Sequence, residues 1–264
     1  MAAYGRQVAW LPKGCPINKA SVIEAREIIP PSPHSSRKMG LASNLIHAYS
    51  EHPLGLCGQR ESAQVIGSVE DIERRLTILT LGVVLDINPL TQERWSGLLA
   101  FAEHWLFDPS YVAYRSSQQV GAAMQESGIS CPQHIPRVWW QICRGVQGRF
   151  NGSWRDLMRA NDYDALALQM YWRKSKTTFP VLAGPVVSAR WLDLVHRIGG
   201  VHLTGWENLR VPFSKKQGKT AQLFGIEENE VHPQLFSALW EWPAACKKLS
   251  ESSCGLSDCP RKMN

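Results

Sequence analysis

Apolar residues recur every three or four positions through the middle of this 264-residue chain, the period of a helix with one buried face. The stretch SVEDIERRLTILTLGVVLDI predicts a helix with Ser68 as N-cap and acidic residues in its first turn. TQERWSGLLAFAEHWLF predicts another, with Trp95, Leu98, Leu99, Ala102, Trp105 and Leu106 on one face. A third, SSQQVGAAMQESG, ends at Gly128. Further helices are predicted from Arg137 to Val146 after Pro136, through SWRDLMRA with Ser153 as N-cap, and through DYDALALQMYWRKS. Period-two runs of β-branched residues are missing, so the expected class is all-α. The first 60 residues read as an irregular extension, because IIPPSPHSSRKMG cannot sustain a helix. Residues 61–264 then form the expected helical domain.

Charge changes the picture because it is unevenly placed. The chain carries 29 Lys/Arg against 23 Asp/Glu, a net +6. Between Arg137 and Thr220 the count is 14 against 5, or +9, which leaves −3 for everything else. A concentrated basic segment suits phosphate binding through counterion release. The 11 Trp are far above ordinary usage and supply either core volume or stacking surfaces. The N-terminus lacks the apolar region of a signal peptide, and the longest apolar run, Leu76 to Leu85, is too short to span a bilayer. Seven irregularly spaced Cys do not suggest a disulfide framework. These features lead to the expectation of a cytoplasmic monomer with no membrane association.

The most informative segment runs from Lys176 to Gly200, with a hairpin at about 176–198. One helix ends near Ser175, Phe179 and Leu182 turn inward, and Ala183-Gly184-Pro185 forms a tight bend. A second helix starts with Pro185 in its first turn and presents Val187, Trp191, Leu194, Val195 and Ile198 to the core. Gly199-Gly200 closes it. Glycine in such a bend lets a phosphate approach bare backbone, and the amides of the following helix start can bind it. A corner in an ordinary helical core would have the same pattern.

The segment FPVLAGPVVSARWLDLVHRIGG resembles the hairpin of the helix-hairpin-helix DNA glycosylases related to endonuclease III. LTGWENLRVPFSKKQGKTAQLFGI extends the likeness downstream and RVWWQICRGVQGRFNGSWRDL extends it upstream. The resemblance covers about residues 130–264 well and 60–130 loosely. It implies two helical lobes with a cleft, a double-stranded DNA partner, and base flipping followed by excision of a damaged or modified base, in repair or in defence against phage. Two departures stand out. Ser214, in Val211-Pro212-Phe213-Ser214, occupies the place of the family's catalytic Asp, and a neutral hydroxyl cannot stabilise a developing cation in the same way. Val186 stands where bifunctional members carry the Schiff-base Lys, so β-lyase chemistry is not expected.

Three alternatives follow from the missing Asp: an inactive DNA-binding module, excision through another carboxylate, or action on a base whose bond is already weak. An N-glycosidase acting on RNA or nucleosides is a further reading. Candidate catalytic residues are Asp193, Glu207 and Ser214, the last also being a candidate N-cap for the helix after it. The resemblance places Lys176, Thr178, Ala183, Gly184, Val186, Ser188, Arg190, Lys215, Lys216 and Lys219 against DNA. A flipped base needs an aromatic platform and an amide to read its edge, which nominates Trp139, Trp140, Gln141 and Arg144. The competing reading, which the pattern favours, is that two adjacent Trp on a helix are core and boundary residues. Cys246, Cys254 and Cys259 sit where many members carry an iron–sulfur loop. Their C-x7-C-x4-C spacing lacks a C-x2-C pair, and a distant Cys143 would be needed to complete four ligands, so no metal or other cofactor is expected.

Overall fold

A computed structural model describes residues 66–85, 92–213, 215–224, 226, 230–236 and 239. The predicted N-terminal extension and the tail cysteines lie outside the described residues. What is described is mostly helical. Among the described residues, eight helices precede residue 200: α1 (Ile72–Val84), α2 (Gln92–Ala100), α3 (Pro109–Ala113), α4 (Ser117–Glu126), α5 (Ile135–Phe150), α6 (Trp154–Arg159), α7 (Ala165–Lys174) and α8 (Pro185–Arg197). After them come β1 (Val211–Pro212), α9 (Lys215–Leu223) and β2 (Glu230–Val231), with β1 and β2 paired antiparallel, Val211 opposite Val231.

Local chemistry accounts for most of these boundaries. Ser116 caps α4 in a reciprocal capping box with Gln119. Ser153 caps α6 through the Asp156 amide, as expected. Asn151, in the left-handed region at φ 51°, closes α5. Two sequence expectations shift. The first helix starts at Ile72, because the carboxylate of Asp71, rather than Ser68, accepts from the Glu73 and Arg74 amides. The helix predicted through Trp105 and Leu106 stops at Ala100, and Trp105–Phe107 form a separate 3-10 turn before Asp108 caps α3.

One buried apolar cluster extends from Ile66 to Leu209, so the helices before and after residue 130 share a core. At its centre are three fully buried indoles, Trp154, Trp172 and Trp191. Trp191 meets Trp172 edge-on at 4.7 Å between centroids and Trp154 at 5.9 Å. Two of the three indole N–H groups find an acceptor on α1, while that of Trp172 has none among the described residues. Trp154 Nε1 donates to Thr77 Oγ1 at 2.9 Å and Trp191 Nε1 donates to Thr80 Oγ1 at 2.7 Å. Each hydroxyl hydrogen goes back to the carbonyl four residues earlier, Glu73 at 2.8 Å and Leu76 at 2.6 Å, leaving a lone pair aimed at the indole.

On the same stripe of α1, Glu73 reaches the start of α6. Its carboxylate accepts from Ser153 Oγ and Trp154 N, both at 2.7 Å, and from Arg155 N at 3.1 Å. A residue 80 positions away in sequence thus anchors a helix N-terminus.

Replacing Thr80 by Val keeps the volume but strands the buried Trp191 N–H. The expected cost is about 1–3 kcal/mol in urea unfolding, with an unchanged m-value. A Thr80→Val protein as stable as the parent would show that this hydrogen bond contributes nothing.

Candidate nucleic-acid interface

The hairpin forms, with a longer connection than a minimal bend. After α7 the chain makes two single helical turns, Phe179 N to Ser175 O and Ala183 N to Phe179 O, before α8 begins. Phe179 and Leu182 are fully buried beneath these turns. Gly184 is the N-cap of α8 with no side chain to cap it, and Pro185 is the first helical residue. The bend lies at the surface: Pro185 is exposed, and Ala183, Gly184 and Val186 are half-buried. Ser188 N bonds to Gly184 O, whereas the amides of Val186 and Val187 meet no acceptor among the described residues. An anion at this helix start would find donors and the positive end of the dipole together.

The hairpin is held in place from α5. Gln141 Nε2 donates to the Thr177 carbonyl, and Arg149 donates to Thr178 Oγ1 at 3.1 Å, Ser175 Oγ at 3.1 Å and Tyr171 Oη at 2.9 Å. Gly145 makes this approach possible: a Cβ there would lie 2.2 Å from Thr178 Cγ2. Arg149 and Gly145 carry no local sequence signature, because their partners are about 30 residues further along the chain.

The other expected contacts divide. Lys176 and Lys219 are exposed, and Thr178 is half-buried at the turn. Lys215 and Lys216 open α9, whose first side chains lie outside the description. Ser188 is buried, donating to the Pro185 carbonyl and accepting from Gln169 Nε2 at 3.2 Å, so it serves the hairpin internally. Arg190 is also buried, on a stretch of α8 enclosed from Ser188 to Val195, and does not face a ligand. The expected base pocket separates in the same way. Trp139 is fully buried and donates to Leu106 O at 3.1 Å, so it is a core residue with no face to offer. Trp140, Gln141 and Arg144 reach the surface, with the Arg144 guanidinium 4.8 Å above the Trp140 ring. Cys143 is fully buried, and burial pushes its thiol well above the usual range, which suits packing rather than ligation or attack. Among the described residues no three potential ligands come together to hold a metal.

Of the candidate catalytic carboxylates, Asp193 is buried, with both oxygens engaged by Nε (2.9 Å) and Nη2 of Arg197 one turn later. A carboxylate held by its own guanidinium has little charge left for a developing cation. Glu207 is exposed and accepts from Asn208 Nδ2 at 3.4 Å. Ser214 lies outside the described residues. Beside Asp193 stands a group not anticipated from the sequence. His196 stacks on Trp206 at 4.4 Å and 7°, and His232 meets the same indole edge-on at 4.4 Å. His196 Nδ1 accepts from Leu203 N, and His232 Nδ1 accepts from Gln234 N, fixing both rings as Nε2–H tautomers. His232 Nε2 lies 3.2 Å from the Trp206 carbonyl as its donor. Burial lowers the proton affinity of both rings; His202 adds to this at His196, and Asp193 opposes it at both.

Comparison with family models, with curated proteins and with solved structures gave no match to this chain.

Two predictions follow from this geometry. Gly145→Ala should cost about 1–3 kcal/mol by overpacking, seen as a lower Tm, and Thr178→Ser in the same chain, which removes the opposing methyl, should restore part of it. An unchanged Tm in Gly145→Ala would mean that the hairpin does not press on α5. Because His196 and His232 hold protons less readily folded than unfolded, their contribution is intact above about pH 6.5 and is lost as the pH falls through the folded values. The Tm of the parent should therefore fall more steeply between neutral and mildly acidic pH than that of His196→Gln/His232→Gln; parallel curves would contradict it.

Proposed function

We propose that this chain binds duplex DNA by its backbone through the 183–187 bend, as a helix-hairpin-helix protein of the DNA glycosylase type. The observation that carries the reading is the surface start of α8, where a glycine N-cap precedes two amides with no acceptor among the described residues; Lys176, in the turn before it in sequence, is exposed. The +9 balance of the segment from Arg137 to Thr220 supplies the favourable field. On this reading the helices form two lobes about a cleft, and the protein inspects or excises a modified base without lyase chemistry, since Val186 cannot form a Schiff base. Whether excision occurs is a separate matter from binding. The pairing of Asp193 with Arg197 favours a second reading, a module that binds and inspects without cutting.

The bend is testable without disturbing the fold, because Gly184 has φ −69°, open to any residue, and a Cβ there would sit 3.4 Å from the Val181 carbonyl. Gly184→Ala should weaken duplex binding while leaving Tm unchanged, and Lys176→Ala should reduce the salt slope of binding by about one. Duplex affinity unaffected by both changes would remove the hairpin from the interface. For the chemistry, duplexes containing defined modified bases are incubated with the protein and treated with alkali. Strand breaks that persist in Asp193→Asn exclude that carboxylate, and the absence of breaks on every duplex leaves the binding module as the function.

A further inference from the structure

Beyond the bend, a strip of alternating aromatic and arginine side chains runs over the surface formed by α3 and α5. Tyr114, at the C-cap of α3, is 80% exposed, and Tyr111 one turn before it is 58% exposed. Arg115 places its guanidinium 5.7 Å from the Trp105 ring, and its carbonyl accepts from Trp140 Nε1 at 2.7 Å. The Trp140 ring then lies under Arg144 at 4.8 Å. The contacts are continuous from Trp105 to Arg144, and the far end abuts the hairpin through the bond from Gln141 to the Thr177 carbonyl.

The charge pattern singles out this surface. From Trp105 to Arg155 the sequence has five Arg, no Lys and two acids, Glu126 and Asp108, the latter used as the N-cap of α3. A merely solvated helical face ordinarily mixes both signs. Guanidinium groups stack on rings and grip phosphates in a plane, which ammonium groups do not. Large aromatic faces left in water cost free energy unless a partner covers them. Unpaired nucleotides need both parts, a π-face for each base and a cation for each phosphate, and duplex DNA does not offer its base faces.

We propose that the Trp105–Arg115–Trp140–Arg144 strip, with Tyr111 and Tyr114 next to Arg115 in sequence, is a binding surface for an unpaired DNA strand, with bases stacked on the exposed Tyr111 and Tyr114 rings and the phosphates held by Arg115 and Arg144. The choice of DNA rests on the hairpin reading above; the stacking does not. The strip would hold a strand opened next to the duplex that the bend grips.

The test uses the full chain and fluorescence anisotropy with a labelled mixed-sequence oligodeoxynucleotide, its duplex, and RNA of the same sequence. Tyr114 and Arg144 are exposed, so replacing either leaves the core intact. Tyr114→Ala and Arg144→Ala should each weaken single-strand binding at least about fivefold, and Tyr114→Ala, which removes no charge, should leave duplex binding unchanged. Arg144→Ala should also lower the single-strand salt slope by about 0.7. Unchanged single-strand affinity in both variants, or an equal loss on the duplex in Tyr114→Ala, overturns the strip, and tighter binding of the RNA overturns the choice of DNA. If Gly184→Ala binds duplex normally while Tyr114→Ala is weakened on the single strand, the strip stands and the hairpin reading fails.

Discussion

Three side chains on one stripe of α1 determine how the rest of the described structure is arranged. Glu73, Thr77 and Thr80 sit at helical spacing and point into a region that would otherwise be all indole and aliphatic carbon. Leaving two buried indole N–H groups without acceptors would cost more than most single packing contacts return. The hydroxyls therefore fix both the rotation of α1 and the depth of α6 and α8 against it. Glu73 adds the axial constraint by neutralising the start of α6. Because α8 is registered by Trp191, its first turn projects where the chain bends at Gly184. The geometry of the surface bend is thus set from inside the protein, by bonds far from it in sequence.

A second constraint acts from the other side. Arg149 and Gln141 clasp the loop between α7 and α8, and Gly145 lets that loop lie against the α5 backbone. The bend is held between α1, through the core, and α5, across the surface. Such a mount suits contact with a stiff polymer, since it limits the ordering that binding would otherwise require. It also brings the aromatic and arginine face of α5 into line with the hairpin.

How much of this the sequence discloses depends on the range of the interaction. Caps act over two or three residues, so Ser153 is legible, as are the inward turn of Phe179 and Leu182 and the first-turn position of Pro185. Asp71 displaces Ser68 because a carboxylate outcompetes a hydroxyl at a helix start, a ranking that pattern alone leaves open. Trp139 and Trp140 are adjacent and chemically alike, yet helical geometry sends one into the core and the other to the surface. Arg190 and Ser188 look available because their helix seems one-sided; enclosure on all sides by α1, α7 and the loop after α8 is a tertiary fact. The His196–Trp206–His232 stack joins segments about 36 residues apart and has no local signature at all.

On the proposed reading, the DNA backbone sits on the free amides at the start of α8. Backbone amide NMR with a titrated duplex reads those groups directly. The expected result is that the resonances of Val186 and Val187 shift most and saturate together, with the effect suppressed by added salt. Amides at the bend that stay unmoved while those of another surface saturate would contradict it.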